Sequence, residues 1–285
     1  MSDTPSLGKV LVVAGSDSGG GAGIQADIKA IMAQGAYATT AISALTAQNT
    51  LGVQDISPVP PAFVVSQMTS ILSDIGADMM KTGMLATREV IEAVAEARDK
   101  LAPKLPMLVD PVMVATSGDR LLQDEAMDAL QSLLVNHALL VTPNLPEASL
   151  LTRRDVDSID DMKRAADTLM EAGAHAALIK GGHGSDKVVT NLLALQSGMH
   201  MFEHERLATT NTHGTGCTLA SALSGQIAKA MDSPTDVKSV ALDSAGRPDD
   251  ATLRQATKTA LDYVHKAIKS APKIGDGNGP VGHGL

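Results

Sequence analysis

The sequence predicts an α/β fold built on a central, mostly parallel sheet. Short apolar runs of strand length alternate with helical patterns along the whole chain. Polar or glycine-rich clusters follow those runs at Gly15, Gln48, Gly83, Asp110, Asn144, Lys180 and Asn211. In such folds the carboxyl ends of the strands share one edge, where ligands bind. The third observation is Asn211-Thr212-His213-Gly214-Thr215-Gly216-Cys217-Thr218, a loop that runs into the small apolar residues Ala220-Ser221-Ala222-Leu223. It reads as a loop opening a helix.

The elements follow in order. Lys9 to Ala14 is a continuous apolar run ending at Gly15, the pattern of a buried parallel strand. A glycine loop leads to a helix over 24–34, with Ile24, Ile28, Ile31 and Met32 on one face. The loop lacks the Gly-Lys-Ser/Thr ending of a Walker loop and fits the dinucleotide fingerprint poorly, so by itself it is weak evidence. Asp27 either complements the helix dipole or faces a ligand. Tyr37 to Leu45 reads as a second strand, leading to Thr46-Ala47-Gln48-Asn49-Thr50. There the Gln48 amide can offer a heterocycle a donor and an acceptor at once, or simply belong to a polar loop.

Pro61 to Ser73 reads as a helix with Pro in its first turn, and Asp78 to Lys81 as a short strand. Thr87 caps a helix over 88–100. Leu105 to Val109 is a strand that ends in Asp110, a candidate metal ligand or a loop-anchoring carboxylate. A helix over 123–135 and a strand over 139–142 lead to Asn144 and Glu147. Their spacing suits either magnesium held through waters or a plain helix cap. Ser158 and Asp161 open a helix to Ala172. Ala176 to Ile179 is a strand ending in Lys180-Gly181-Gly182-His183, where Lys180 either reaches a phosphate or lies on the surface. Runs over 188–195 and 199–207 form a hairpin. Ser233 to Asp250 is an exposed loop, and Thr252 to Lys269 a last amphipathic helix.

The Gly214-Thr215-Gly216 loop presents a helix N-terminus, which attracts anions through its unpaired N–H groups and dipole. Cys217 lies in the first turn of that helix. Its thiol is therefore expected to ionise more easily than in water, unless it is a buried, inert cysteine. Anion stabilisation beside an ionisable group is what phosphoryl transfer needs.

Composition narrows the choices. A net charge of −9 argues against nucleic acid and anionic membrane as partners. One cysteine makes no internal disulfide, residues 1–8 carry no signal pattern, and no apolar run approaches bilayer length. The expectation is a soluble cytoplasmic protein. There is no Trp, with two Tyr and two Phe, so the core must be aliphatic, with 14 Met adding adaptable packing.

These residues resemble a known family. Ala14-Gly15-Ser16-Asp17 with Gly20-Gly21-Ala22-Gly23-Ile24-Gln25-Ala26-Asp27, Ala44 to Thr50, Lys81 to Leu85, Asp110 to Met113 with Ser117-Gly118, Thr142 to Ala148, Lys180 to His183 and Asn211 to Thr218 stand in family order over nearly the whole chain. They resemble the hydroxymethylpyrimidine/phosphomethylpyrimidine kinases of thiamine biosynthesis, within the ribokinase-like superfamily. The resemblance implies a single three-layer α/β/α domain over 1–285, with 1–8 and 272–285 as tails. It implies ATP and Mg2+, and two successive phosphorylations of 4-amino-5-hydroxymethyl-2-methylpyrimidine to its pyrophosphate. Cys217 stands where the wider superfamily has an aspartate base, and so favours the pyrimidine branch over the sugar kinases.

By position, Gln48 would bind the ring, and Gly15, Asp27, Met84 and Val112 would line its pocket. Lys180, Asn211, Thr212, Gly214 and Gly216 would hold ATP, with Gly214, Thr215 and Gly216 as the anion hole. Asn144, Glu147 and Asp110 would serve magnesium, and Cys217 would be the base. The family implies a homodimer. Pyridoxal kinase activity is the near alternative, and a non-catalytic binding protein on the same fold a more distant one. The chain departs from the family pattern at Gly19, often Ser, at Asp276 in the glycine-rich tail, and in an apparent insertion over 243–250.

Overall fold

The computed structural model describes residues 7–113, 121–122, 124–182, 187–232, 242–243 and 246–284. Ser117, Gly118, Gln123, His183 and most of the loop over 233–250 lie outside them. The chain forms β1 (Lys9–Asp17), α1 (Gly23–Ala33), β2 (Tyr37–Asn49), β3 (Gly52–Pro58), α2 (Pro61–Asp74), β4 (Met79–Thr82), α3 (Arg88–Leu101) and β5 (Met107–Val109). There follow α4 (Met127–Ala129), β6 (Leu140–Val141), α5 (Leu145–Thr152), α6 (Ile159–Glu171), β7 (Ala177–Ile179), β8 (Val188–Leu195), β9 (Gly198–Glu205), α7 (Thr215–Met231) and α8 (Asp250–Lys269).

Among the described residues the strands form one sheet in the order β3-β2-β1-β4-β5-β6-β7-β8-β9. The six strands from β2 to β7 in that order are parallel neighbours; β3, β8 and β9 pair antiparallel at the edges. Side chains alternate across β1. Leu11 and Val13 enter the core shared with α2, α3, α5 and α6, while Val10, Val12 and Ala14 enter the core shared with α1, α7 and α8. The result is the three-layer α/β/α architecture that the alternating pattern predicts.

Several expected caps are present. The Thr87 side chain accepts from Val90 N–H at the start of α3, and Ser158 with Asp161 makes a capping box on α6. Three features differ from the sequence expectation. Strand β3, Gly-Val-Gln-Asp-Ile-Ser-Pro, was not foreseen: it is a polar edge strand with little burial to imprint an apolar pattern. β2 runs on to Asn49, so Gln48 stands on an extended hairpin rather than in a loop. The helix expected over 123–135 is broken: 3-10 over 124–126, then α4, then a π turn over 130–134 and 3-10 over 135–137. That wide turn carries Leu130, Leu134 and Val135 all into the core.

The segment after α8 packs back onto the body. Gly279 C=O accepts from His213 N–H, Asn278 N–H donates to Thr50 C=O, and Tyr263 OH donates to His283 C=O at 2.6 Å. Val281 is buried among them.

Candidate active site

The chain turns one way from β1 to β2 and the other way to β4, so the sheet order reverses at β1, the place where open α/β sheets hold ligands. A cavity of about 890 Å³ opens there and along the same edge. Gly15, Gln48, Met84, Asp110, Val112, Asn144, Glu147, Lys180, Thr212 and the Gly214–Cys217 turn all line it. The convergence expected from strand-end clusters is therefore real.

At one end the cavity is charged. Gly214 begins α7 in a left-handed conformation (φ 79°), and a Cβ there would lie 1.8 Å from the Gly21 carbonyl oxygen, so only glycine fits. Lys180 Nζ donates to Asp110 Oδ1 at 2.9 Å and lies 3.8 Å from Glu147 Oε2. Its side chain is 12% exposed, which rules out the surface-lysine reading. A Cβ on Gly216 would stand 3.3 Å from Lys180 Nζ, so the glycine leaves the ammonium open toward the helix start. Burial works to raise the Asp110 carboxyl, but Lys180 and Lys81 outweigh it and hold it below its ordinary value; Thr142 Oγ1 also donates to it, at 2.9 Å. Burial pushes Glu147 up to about 7 despite Lys180.

Beneath this end lies a buried ion pair. Lys81 Nζ donates to Asp27 Oδ1 at 2.9 Å with both side chains at 0% exposure, and Ser221 Oγ donates to the same oxygen at 2.7 Å. Asp27 is thus corrected: it does not line the cavity but anchors Lys81, which does. Cys217 is corrected as well. Its thiol is not easily ionised; burial pushes it up to about 11, Lys81 favours the thiolate, and Asp27 and Asp110 oppose it. The loss of water at this partly buried thiol outweighs the help that Lys81 and the helix start give its thiolate.

At the other end the cavity is neutral and hydrogen-bonded. A Cβ on Gly15 would come within 2.4 Å of Met84 Cε, so the glycine makes room for the methionine that floors the pocket. The Asp17 carboxylate accepts N–H groups from Gly19 (2.7 Å), Gly21 (3.0 Å) and Ala22 (2.7 Å) and meets His213 Nε2 at 3.0 Å. Burial opposes its charge, but His213 and the loop N–H groups hold it below the ordinary carboxylate value. Gln48 Nε2 lies 3.3 Å from His213 Nε2, and Gln48 Oε1 lies 3.1 Å from Thr46 Oγ1. Ser18 Oγ donates to Gln48 C=O and accepts from Gln48 N–H, both at 2.8 Å, so a hydroxyl sits beside Gly19 after all.

Two further expected residues are placed differently. Asn211 turns away from the cavity and packs against Gly279. Asn144 lines the cavity, yet its side chain is the N-cap of α5: Oδ1 accepts from Glu147 N–H at 2.9 Å, and Glu147 Oε2 accepts from Asn144 N–H at 2.8 Å. Sequence reasoning missed Asp17, Lys81 and His213. Of these only Asp17 carried a local signal, an acid two residues before a glycine run, the pattern of a side chain that gathers turn N–H groups.

Among the described residues no three or more His, Cys, Asp or Glu side chains gather as a metal site. Asp110 and Glu147 flank one lysine, and Glu147 is a buried carboxyl with too little positive charge around it. Two carboxylates beside an anion-binding helix start fit magnesium that keeps waters and arrives with phosphate oxygens, not a self-contained protein cage.

Comparison with known proteins agrees with this geometry. A family described as phosphomethylpyrimidine kinase matches residues 17–242. The hydroxymethylpyrimidine/phosphomethylpyrimidine kinase of Bacillus subtilis is 40% identical over 98% of this chain and 95% of its own length. The thiamine biosynthesis bifunctional protein ThiED of Geobacter sulfurreducens is 42% identical over 97% of this chain, which spans 52% of that longer protein. Among solved structures, an ADP complex of Bacillus subtilis pyridoxal kinase superposes with a TM-score of 0.83 at 32% identity over 98% of both chains. A phosphomethylpyrimidine kinase from Clostridium difficile 630 superposes with a TM-score of 0.74 at 32% identity, over 92% of this chain and 100% of that one. The chain belongs to the phosphomethylpyrimidine kinase family, with the ribokinase-like fold.

Proposed function

We propose that this kinase transfers the γ-phosphoryl group of ATP to 4-amino-5-hydroxymethyl-2-methylpyrimidine, and then to the resulting monophosphate, forming the pyrophosphate used to build thiamine. One observation carries the reading: a fixed amide, Gln48, and an anion-binding helix start, Gly214–Cys217, line the same cavity. Gln48 reads the ring, with Gly15, Met84 and Val112 around it. Lys180 and the Gly214-Thr215-Gly216 turn, with Thr212 beside them, hold nucleotide phosphates and offset the charge that develops in transfer. Asp110 and Glu147 hold magnesium, which supplies charge neutralisation at the phosphates when bound; Asn144 supports it by fixing Glu147.

Cys217 takes the acceptor's hydroxyl proton onto Sγ. Only the thiolate can do so, and burial makes it scarce at neutral pH. Lys81, on the floor of the cavity, stabilises that thiolate.

The wider reading is a homodimeric cytoplasmic enzyme whose whole length makes one domain. The absence of any helix long and apolar enough to cross a membrane, among the described residues, is compatible with it.

The test is magnesium-dependent ATP consumption with three acceptors: the hydroxymethylpyrimidine, its monophosphate and pyridoxal. Preference for both pyrimidines is the expected result. Preference for pyridoxal would favour the second reading, which the pyridoxal kinase superpositions motivate. ATP turnover equal with and without acceptor would leave a binding protein.

A further inference from the structure

We propose that His213 sets the polarity with which Gln48 reads the acceptor ring, through a chain Asp17–His213–Gln48–Thr46; this rests on the kinase reading above. The argument is a count of protons. The carbonyl oxygen of Ser16 can only accept, so the Thr46 hydroxyl proton goes to it at 2.9 Å. Thr46 Oγ1 therefore has only lone pairs left for the Gln48 amide, 3.1 Å away. On the far side, His213 Nε2 faces the ionised Asp17 carboxylate at 3.0 Å, so that nitrogen must carry a proton. The Gln48 atom set 3.3 Å from the same Nε2 is its amide nitrogen; two N–H groups would face each other there, so we assign the carbonyl oxygen to this position, where it shares the Nε2 proton with Asp17.

Both ends give the same answer. The structure sets Gln48 Nε2 toward His213 and Oε1 toward Thr46; the proton count assigns the amide the other way round, with its carbonyl oxygen toward His213 and its NH2 toward Thr46. The opposite orientation would set two donors against each other at His213 and two acceptors against each other at Thr46. Ser18 brackets the Gln48 main chain from which this amide projects.

The consequence is chemical. One N–H and one carbonyl lone pair remain for a ligand, with the acceptor on the His213 side and the donor on the Thr46 side. A ring is matched when it presents an N–H donor toward His213 and a bare ring nitrogen toward Thr46. A 4-aminopyrimidine edge offers that pair. The corresponding 4-oxo ring offers the reverse, a carbonyl and a ring N–H. His213 is thus a positioning residue for acceptor choice. It also immediately precedes the Gly214–Cys217 turn, so ring reading and phosphate binding share one short stretch of backbone.

The experiment compares the 4-amino acceptor with its 4-oxo analogue in wild type, His213→Phe and His213→Gln. Phe keeps a ring but removes the proton that holds the amide; Gln can return an N–H near the position of Nε2. The expected result is that His213→Phe raises the KM of the amino acceptor about tenfold, the scale of one directing hydrogen bond, with a smaller change in kcat. The amino-over-oxo ratio of kcat/KM should fall in the same variant, and His213→Gln should restore both. In a Gln48→Ala background, His213→Phe should add little.

An unchanged amino-over-oxo ratio, or additive effects of the two substitutions, would overturn the proposal. If His213→Phe misfolds, His213→Leu takes its place: a fallen ratio in a folded protein supports the chain, and an unchanged ratio overturns it. Failure of the kinase reading would show differently, as no acceptor-dependent turnover in wild type.

Discussion

The two ends of the cavity solve opposite problems with opposite means. At the charged end, Asp110, Glu147 and Lys180 are ionisable groups taken out of water and set against each other, with Gly214–Cys217 adding main-chain dipoles. At the other end a single carboxylate, Asp17, organises a hydrogen-bonded network that ends in the Gln48 amide. The first arrangement is strong, unselective and sensitive to charge. The second is weak per contact but carries direction. A site that must accept two acceptors sharing one ring and differing by a phosphate is served by that separation.

The comparison is broken most severely from the charged end. Lys180→Ala should lower kcat/KM about 1000-fold, the scale of losing a main electrostatic donor to the transferred group, as measured by steady-state kinetics with ATP varied. A loss below about tenfold would move the phosphate contact elsewhere.

Cys217→Ala should lower kcat about 100-fold or more with nucleotide affinity kept. Because the wild-type thiol sits at about 11, kcat should climb with pH through the range from 7 to 9 without a plateau. In Cys217→Asp a carboxylate is already ionised at neutral pH, and the climb should vanish. A flat wild-type profile, with product release excluded by a pre-steady-state burst, would remove the thiolate from the mechanism.

Beneath the charged end, Lys81→Met should cost about 3 kcal/mol of stability by leaving the Asp27 carboxyl buried without its counter-ion, read as denaturant midpoint. Lys81→Met combined with Asp27→Asn should recover part of that loss; equal instability would mean that packing, not charge, holds the floor.

Gln48→Ala, at the neutral end, should raise acceptor KM about tenfold while leaving the KM for ATP within about twofold.

The smallest effect concerns Glu147. Its folded value of about 7 lies above the ordinary 4.5, so its contribution to stability is complete below 4.5 and lost as pH rises through 7. Wild type should therefore lose melting temperature relative to Glu147→Gln over that window. Parallel curves would show that Lys180 compensates Glu147 fully.

The charged end was largely legible before any coordinates, because its parts are contiguous. Gly214-Thr215-Gly216-Cys217, Asn144 with Glu147, and Lys180 after a strand each announce a strand end or a helix start. What could not be read was burial, and burial reverses the expected behaviour of Cys217 and changes the partner of Asp27. The hydrogen-bonded end was legible only as Gln48. Asp17 and His213 are 196 positions apart and Gln48 and His213 are 165 apart, so no local pattern joins them. β3 escaped because an exposed polar edge strand leaves no periodic mark. The layers themselves were plain, since an apolar run such as Val10 to Ala14 feeds both faces of a sheet at once.

The bond from Tyr263 to the His283 carbonyl has an optical consequence. The chain has no tryptophan and only two tyrosines, so its near-ultraviolet emission comes from Tyr37 and Tyr263. Tyr37 is 50% exposed at the start of β2 and gives a steady background. Tyr263 alone touches the segment that also binds His213 and Thr50. Quenching of its phenol by that carbonyl makes the intensity a native, label-free signal for whether the segment is seated. With Tyr37→Phe in place, one fluorophore reports one contact, and seating can be followed during turnover without attaching anything to the protein.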